Sequence, residues 1–294
     1  MTTTEFARTP GQVFAAAYRE RGTQARVEFD TTITDRFPGF QRRPRIAMRA
    51  LFKIVETAEP QVRYWSEAHP ASGTRPVRDE ALRPESGFEF RHDAAALATT
   101  AAWVQVPPPL LDDPAALATF IDFRLLQRLG TAENQSLALG RGGDQGGGRG
   151  GGGGGEPMRG LLETPGIRRL PAGPDPVASL LTACDHVERM GGSADGIVMS
   201  TTDYYRYLFP RQDVLSGLAS LGIRIVRTRM IAAGTAIVGD FFAGATIYDS
   251  GRSSIAFDRP PGDVFARDGL AVRGEIRTAL AVHLPTHFFV AALV

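Results

Sequence analysis

The sequence predicts an α+β fold, because strand-like and helix-like patterns both recur along its 294 residues. Residues 272–284 alternate apolar and polar side chains, which is the period-two pattern of a strand with one buried face. Residues 113–139 repeat apolar side chains at steps of three and four, which indicates a long helix. Residues 175–250 combine both patterns in short segments and predict a compact α/β unit.

The closing stretch, residues 263–294, contains the clearest strand. Its apolar face would hold the even positions and its charged face several odd ones: Val272, Gly274, Ile276, Thr278, Leu280, Val282 and Leu284, against Arg273, Glu275, Arg277 and His283. Pro285 should end the strand, since proline cannot donate to a ladder. The apolar run 288–294 is expected to dock in a core or against a neighbouring subunit.

The first 20 residues predict an arm with one short helix. Thr9 is a suitable N-cap and Pro10 fits the first helical position. The apolar stripe of this helix would be Val13, Phe14, Ala17 and Tyr18. Further along, residues 42–45 hold a basic cluster of Arg42, Arg43 and Arg45. Because no aromatic residues are interleaved, the cluster favours a solvated or subunit-facing patch over a nucleic-acid site.

Two strand-like segments, Gln61–Glu67 and Gly87–His92, flank a polar stretch of about 19 residues. They predict an extended hairpin that is too thin to bury its own apolar face. Such an arm is best explained if it lies on another subunit.

A strand over residues 101–106 should precede the long helix, which Asp113 would cap and Pro114 would begin. Its apolar stripe is Leu117, Ile121, Leu125, Leu129, Ala132 and Ser136. Extending to Leu139, the helix would be about 39 Å long, with Gly130 as an expected break or bend. The glycine-rich segment that follows, 140–156, predicts a flexible loop and matches no phosphate-binding motif in its context.

The α/β unit should contain several short elements. The expected elements are a helix over 176–190 with Val177, Leu180, Leu181, Cys184 and Val187 on one face, a buried strand 196–200, a helix capped by Thr201 or Thr202 that holds Tyr204, Tyr205 and Leu208, a helix over 214–221, strands over 223–227 and 236–238, and a hairpin of 246–249 and 254–257 around Ser250 and Gly251.

Composition excludes several classes of function. The net charge of +1 gives no global reason to expect nucleic acid or a membrane surface. Cys184 is the single cysteine, so an intrachain disulfide is impossible and a zinc site cannot be built from thiols. The sequence also has no apolar run long enough to cross a bilayer and no secretory signal, and we therefore expect a cytoplasmic protein.

The sequence shows no catalytic constellation. It has neither a Gly-x-Ser-x-Gly elbow nor a His-Glu-x-x-His motif. His283 and His287 are four residues apart, but Pro285 prevents a helix that would place them together, so no metal is expected. His186 and Cys184 lie on a helix as packed, inert side chains, and the tyrosines at 204, 205 and 207 favour core or interface over base stacking. We therefore expect no enzyme and no cofactor.

Four segments follow one another in a characteristic order: residues 77–90 (VRDEALRPESGFEF), residues 111–140 with Asp112, Asp113 and Glu133, residues 236–241 (AIVGDF), and Asp263-Val264-Phe265 through Arg273, Glu275, Arg277 and Pro285. In this order they resemble the Hong Kong 97-type capsid fold of tailed-phage major capsid proteins and encapsulin shell proteins. They resemble, in turn, the returning side of the extended loop of the family, its spine helix, one of its strands and the final strand of its peripheral domain.

The resemblance implies a domain layout and site residues. The implied domains are an N-terminal arm (1–60), an extended loop (61–92), a peripheral domain (93–165 and 255–294) and an axial domain (172–254). The implied site residues are a five-fold pore loop of Phe209, Pro210, Arg211, Gln212 and Asp213, a cargo-facing arm of Phe6, Val13, Phe14 and Tyr18, and an intersubunit strand of Arg273, Glu275 and Arg277.

The resemblance also implies a function. It predicts a homo-oligomeric, closed icosahedral shell of about 60 copies, without a membrane partner. Lys53 is the only lysine and precedes the extended loop, and no long N-terminal scaffolding segment is present. Some phage relatives cross-link their subunits through a lysine in the extended loop, and many phage precursors carry such a scaffolding segment. Both departures from the phage pattern therefore favour an encapsulin-type nanocompartment with a cargo protein. The alternative is a prophage-derived major capsid protein that packages DNA, and a third, less supported one is an uncharacterised enzyme.

Overall fold

The computed structural model describes residues 8–30, 47–70, 88–140, 158–258 and 270–294. Its strands are β1 (Arg26–Asp30), β2 (Lys53–Glu56), β3 (Gln61–Pro70), β4 (Phe88–Ala96), β5 (Ala98–Val106), β6 (Arg168–Leu170), β7 (Gly196–Ser200), β8 (Arg224–Thr228), β9 (Thr235–Gly239), β10 (Ala245–Asp249), β11 (Arg252–Asp258), β12 (Leu270–Val282) and β13 (Phe288–Ala292). Its α-helices are α1 (Pro10–Arg21), α2 (Pro114–Phe120), α3 (Leu126–Leu139), α4 (Pro176–Arg189), α5 (Thr201–Asp203), α6 (Gln212–Ser220) and α7 (Phe241–Gly244).

Several predicted features lie outside the described residues. They are Phe6 of the arm, the basic cluster of Arg42, Arg43 and Arg45, the segment 71–87 between the hairpin strands, residues 141–156 of the glycine-rich segment, and Asp263-Val264-Phe265.

Strand β12 is the centre of the larger sheet. β5 pairs along its residues 270–278, and β11 pairs on the other side with residues 271–275. β10 continues where β11 stops, because it pairs with residues 278–282 of the same strand. The predicted hairpin of β10 and β11 is therefore wrong: the two segments lie end to end along β12. The outer strands β1 and β2 pair with β11 and β10, respectively.

The burial of β12 matches the predicted alternation only in its first half. Val272, Gly274 and Ile276 are buried, whereas Arg277 is exposed. From Thr278 to Val282 every residue is buried, because Leu280 and Val282 belong to an apolar core cluster and the hairpin arm also contacts the strand. The strand ends at Val282, two residues before the predicted end, and Pro285 begins a short 3₁₀ turn.

The apolar chain end docks in the core, as one of the two sequence-based alternatives predicted. β13 lies between β6 and β9 in a second sheet with the order β6-β13-β9-β7-β8. Phe288, Phe289 and Ala291 are at most 1% exposed. The division into peripheral and axial domains stays a prediction, but the sheets do not divide at its boundaries. β10 belongs to the larger sheet although it lies within the predicted axial domain, residues 172–254. β13 belongs to the second sheet although it lies within the predicted peripheral domain, residues 255–294.

The long helix is continuous from Pro114 to Leu139, with a π-helical turn at Ile121–Leu125 between α2 and α3. We call this whole segment the spine helix. Gly130 neither breaks nor ends it, so the expected break at that residue is wrong. A π-helical turn adds a residue to the repeat and moves the buried face along by one position. The buried residues are accordingly Glu133 and Leu137, where the strict repeat predicted Ala132 and Ser136.

Helix α1 begins at the predicted cap. The amide of Gln12 donates to Thr9 Oγ1 at 3.1 Å, and the amide of Thr9 donates to Gln12 Oε1 at 3.0 Å. This reciprocal pair is a capping box. Phe14 is fully buried against the spine helix and lies 5.2 Å from the ring of Phe257. The predicted arm helix is thus confirmed, but it is docked on the body of its own chain.

The second sheet departs from the sequence prediction in two details. Ser200, and not Thr201 or Thr202, caps the helix that follows β7, because Ser200 Oγ accepts from the amide of Asp203. Leu181, expected on the buried face of α4, is 45% exposed. Among the described helices, none combines the length and apolar character needed to cross a bilayer.

Candidate functional site

The hairpin of β3 and β4 is fastened to the larger sheet along one face. Tyr64 packs edge-on against His283 with the ring centroids 5.4 Å apart. The amide of Glu67 donates to the carbonyl of His283 at 2.8 Å. His283 Nδ1 donates to the carbonyl of Trp65 at 3.1 Å, which leaves Nε2 to accept from Thr246 Oγ1 at 3.1 Å. Burial, and then the charge of Asp93, raises the pKa of Tyr64.

The opposite face of the hairpin carries exposed aromatic side chains. Trp65 is 54% exposed and Phe90 is 60% exposed. Their rings meet edge to face at 6.1 Å, and His92, which pairs with Trp65 across the strands, also contacts the indole. A two-stranded sheet cannot cover such a face by itself. We refer to Trp65, Phe90 and His92 as the outer aromatic face.

A buried ionic cluster joins three distant parts of the chain. Arg49 Nη1 lies 2.6 Å from Glu133 Oε1 of the spine helix, and Nη2 contacts Asp249 Oδ2 of β10. Burial lowers the pKa of Arg49, but the two carboxylates outweigh it, so its pKa is raised above the ordinary value. Beside them, Asn134 Oδ1 accepts from the amide of Met48 at 2.9 Å. No sequence motif indicated this cluster, because Arg49 is 84 residues from Glu133 and 200 residues from Asp249.

A second exposed aromatic group lies beside β8. Tyr205 and Phe209 are each 51% exposed, with their rings 5.5 Å apart. The guanidinium of Arg227 lies 4.6 Å from the ring centroid of Tyr204, and its Nη1 donates to the Tyr205 hydroxyl at 3.0 Å. We call Tyr204, Tyr205, Phe209 and Arg227 the tyrosine cluster. The predicted tyrosine packing thus combines cation–π contact with exposed ring faces.

The predicted pore loop, residues 209–213, follows directly from this cluster. Phe209 is part of the cluster, and Pro210 and Arg211 form a short exposed turn. Gln212 already begins α6, and its Nε2 donates to the carbonyl of Phe209 at 2.7 Å. The segment is compact, and its place at a pore stays a prediction.

The charged face of β12 is partly engaged within the chain. The guanidinium of Arg273 lies 3.2 Å from a carboxylate oxygen of Asp258 and 3.2 Å from one of Glu275. Arg277 points away from the core and is exposed. An intersubunit role for Arg273, Glu275 and Arg277 stays a prediction.

A groove of about 640 Å³ separates α1 from the start of the spine helix. The amide of Gly11 donates to Asp122 Oδ1 at 2.8 Å, and burial raises the pKa of Asp122. A Cβ at Gly11 would lie 2.2 Å from the carbonyl oxygen of Ala118, so only glycine permits this close approach. The prediction that Phe14 faces a cargo is wrong, because this side chain has no exposed surface.

The remaining cargo-facing residues of α1, Val13 and Tyr18, are half-buried and pack against the same core as Phe14. Phe6 lies outside the described residues. A contact between this helix and a cargo would therefore have to use the groove rather than the apolar stripe.

His186, His283 and His287 pack or form hydrogen bonds within the chain. His287 Nε2 donates to the carbonyl of Met190 at 3.1 Å, and Nδ1 lies 3.7 Å from Asp240 Oδ2. His186 packs on the ring of Phe289 at 5.4 Å. Within the described part of the chain, no three histidine, cysteine or acidic side chains converge in a group that could hold a metal ion.

We expect Cys184 to be unreactive in the folded protein. Burial, and then the charge of Glu188, raises the pKa of the Cys184 thiol to about 11. Because the thiolate is the reactive form, the thiolate fraction at pH 8 should be about 100-fold below that of a free cysteine. Alkylation followed by mass spectrometry should show slow labelling of the native protein and rapid labelling in denaturant. Equal labelling rates in both conditions would contradict the buried placement.

The comparisons with known proteins agree with this geometry. Residues 40–148, which include the hairpin arm and the spine helix, match the phage capsid family. The major capsid protein of Enterobacteria phage HK97 is 28% identical over 263 residues, which cover 85% of this chain and 64% of that protein. The chain therefore spans less than two thirds of that relative's length.

Solved structures of a virus-like particle, a GTA capsid and a mycobacteriophage share the fold at low sequence identity. The virus-like particle from Pyrococcus furiosus matches with a TM-score of 0.56 at 13% identity, covering 84% of this chain and 92% of that chain. The capsid of a native GTA particle matches with a TM-score of 0.51 at 13% identity, covering 84% and 90%. Mycobacterium phage Adephagia gives a TM-score of 0.52 at 16% identity, covering 80% and 82%. The chain has the Hong Kong 97-type capsid fold, and its resemblance to phage capsid and encapsulin shell proteins is confirmed.

Proposed function

We propose that this chain is a structural subunit that assembles with copies of itself into a closed icosahedral shell. The smallest such shell has about 60 copies. The outer aromatic face carries the proposal, because Trp65 and Phe90 are more than half exposed on an arm that cannot cover them. On a monomer such a surface would leave apolar rings in water, whereas in an assembly the same rings can be buried at an interface.

The hairpin arm and the second sheet would have different roles in the assembly. Tyr64 and His283 hold the base of the hairpin arm to the larger sheet, so the arm leaves the body in a defined direction. The arm would cover a neighbouring subunit in the peripheral region. The second sheet, with the tyrosine cluster, would form the axial region near the symmetry axes.

A mechanical role also accounts for the polar groups. Arg49 forms ion pairs with Glu133 and Asp249 inside the subunit, where a substrate could not reach them. The relatives described above are capsid and particle proteins rather than enzymes. We therefore infer no catalytic activity and no cofactor.

We propose that the shell encloses a nucleic acid. The 28% identity to a phage major capsid protein, over 85% of this chain, favours a phage-type capsid. This reverses the order expected from sequence, where the position of the sole lysine, Lys53, favoured a nanocompartment. The second candidate, a nanocompartment with a protein cargo, is favoured by the groove between α1 and the spine helix.

Purification of the full chain without partners tests the proposal directly. We expect particles above a megadalton in sizing and closed shells in negative-stain images. Only monomers or small oligomers at high concentration would contradict a shell function. Nuclease treatment of particles made in cells then separates the two contents: protected nucleic acid supports the capsid, whereas a stoichiometric co-purifying protein in particles free of nucleic acid supports the nanocompartment.

A further inference from the structure

The tyrosine cluster combines exposed rings with several contacts among its own side chains. The π-helical turn Tyr204–Leu208 brings Tyr204 and Tyr205 within 5.2 Å of each other, and Phe209 closes the group at 5.5 Å from Tyr205. Arg227 holds two of the rings from the neighbouring strand. Ordered aromatic and arginine side chains lose little entropy on binding, which is why they dominate interface hot spots.

The surroundings of this cluster are basic. Arg206 is exposed, with its guanidinium 5.4 Å from the ring centroid of Tyr207. Arg211 is exposed two residues beyond Phe209. Arg227 contacts the rings of the cluster, and Arg206 and Arg211 add two exposed positive charges in the chain segment that carries it.

The outer stripe of α4 has the opposite character. Leu181, Asp185 and Glu188 follow one another at steps of four and three, so they share one exposed face of the helix. Leu181 is 45% exposed, which the sequence pattern did not predict. Asp185 pairs with Arg189 at 2.8 Å, but both side chains are more than half exposed, and such a pair contributes little.

The two surfaces are carried by neighbouring elements of the second sheet. Helix α4 packs on β13 and β9 and also contacts the π-helical turn Tyr204–Leu208, whereas Arg227 lies on the edge strand β8 and contacts the rings of the cluster. Every copy therefore displays an apolar-acidic surface on α4 and an aromatic-basic surface on the tyrosine cluster. A contact between two different surfaces of identical subunits is heterologous, and it generates a ring when the rotation closes.

We propose that the outer stripe of α4 in one copy docks on the tyrosine cluster of the next copy, and that this contact builds the rings of subunits around the symmetry axes. The inference rests on the proposed shell function and specifies its axial contact. Leu181 would pack on the exposed rings of Tyr205 and Phe209. Asp185 and Glu188 would face Arg206 and Arg211, so that charge sets the register and the direction of the ring.

Charge reversal on each side tests the pairing. The double substitution Asp185→Arg and Glu188→Arg places like charges across the contact, as does the double substitution Arg206→Glu and Arg211→Glu. Each should raise the protein concentration needed for particle formation by about tenfold or more. Combining the four substitutions restores opposite charges and should return that concentration toward the wild-type value. Circular dichroism melting of each variant checks that the subunit still folds.

The outcomes separate this inference from the shell function. If the wild type forms no particles, the shell function itself fails. If the wild type forms particles and either double variant assembles equally well, the shell stands and the paired surfaces are wrong. Failure of the fourfold variant to recover, with both double variants folded, also overturns the pairing. Normal particles of the Arg206→Glu and Arg211→Glu variant with less nucleic acid would assign the tyrosine cluster to nucleic acid instead.

Discussion

Replacing Arg49 with methionine should destabilise the subunit by about 4 kcal/mol, because two buried carboxylates lose their counter-ion. Glu133 is 6% exposed and Asp249 is 1% exposed, so water cannot substitute for the guanidinium. The substitution also removes the ion pairs that join the segment before β2 to the spine helix and to β10, and leaves the hydrogen bond between Met48 and Asn134 in place. Urea unfolding of the dissociated subunit, followed by circular dichroism, measures the loss.

Arg252→Met is the matched control for that experiment. The Arg252 guanidinium lies 3.9 Å from Glu28, and both side chains are more than half exposed. Its loss should change the free energy of unfolding by less than about 1 kcal/mol. A second variant, Arg49→Met with Glu133→Gln and Asp249→Asn, removes all three charges and should recover part of the stability. Equal effects of Arg49→Met and Arg252→Met would show that the cluster is not a buried ionic unit.

Local chemistry made many elements predictable. The capping box of Thr9 and Gln12 and the cap of Asp113 follow from residues that are neighbours in sequence. The first half of β12 alternates because only one of its faces is buried. The hairpin arm was predictable because two β-prone segments flank a long polar stretch, whereas its place on another subunit stays a prediction.

Long-range pairing was not predictable from the same signals. Ser250 and Gly251 carry a turn signature, and Gly251 does adopt a positive φ of 71°. The 13 residues of β12 offer a longer edge than β10 and β11 could offer each other, so the chain bends at Gly251 and continues along it. The π-helical turn likewise shifts the buried face of the spine helix by one position, which a regular repeat cannot anticipate.

In the candidate site, too, local features were predictable and features that depend on long-range contacts were not. The sequence indicated the arm and the tyrosines, whose aromatic composition is local information. It could not indicate that Trp65 faces outward while Tyr64 packs on His283, because that choice depends on where the arm meets β12. Burial of Phe14 likewise depends on how α1 docks against a helix more than 100 residues away, through the Gly11 amide and Asp122.

Replacing both large aromatics of the outer aromatic face, Trp65→Ser with Phe90→Ser, should abolish particle formation without unfolding the subunit. Both side chains are more than half exposed, so the isolated subunit loses little buried surface. In a shell each would be a buried anchor, and truncation of such anchors costs about 2 kcal/mol or more. Because every subunit carries the arm, the loss recurs at each contact. Sizing and negative-stain imaging of the variant should show free subunits or small oligomers.

Arg91→Ser is the matched control, since Arg91 is exposed on the same strand and pairs with Ser66 on the opposite face of the hairpin. It should assemble normally if the aromatic rings carry the contact, and a melting temperature close to wild type in both variants would establish that folding is intact. Particles of normal size from the Trp65→Ser and Phe90→Ser variant would mean that the exposed rings do not hold the shell together. Assembly would then depend on the backbone edges of the arm or on contacts elsewhere. Loss of assembly in both variants would instead indicate that the whole arm, rather than its outer aromatic face, makes the contact.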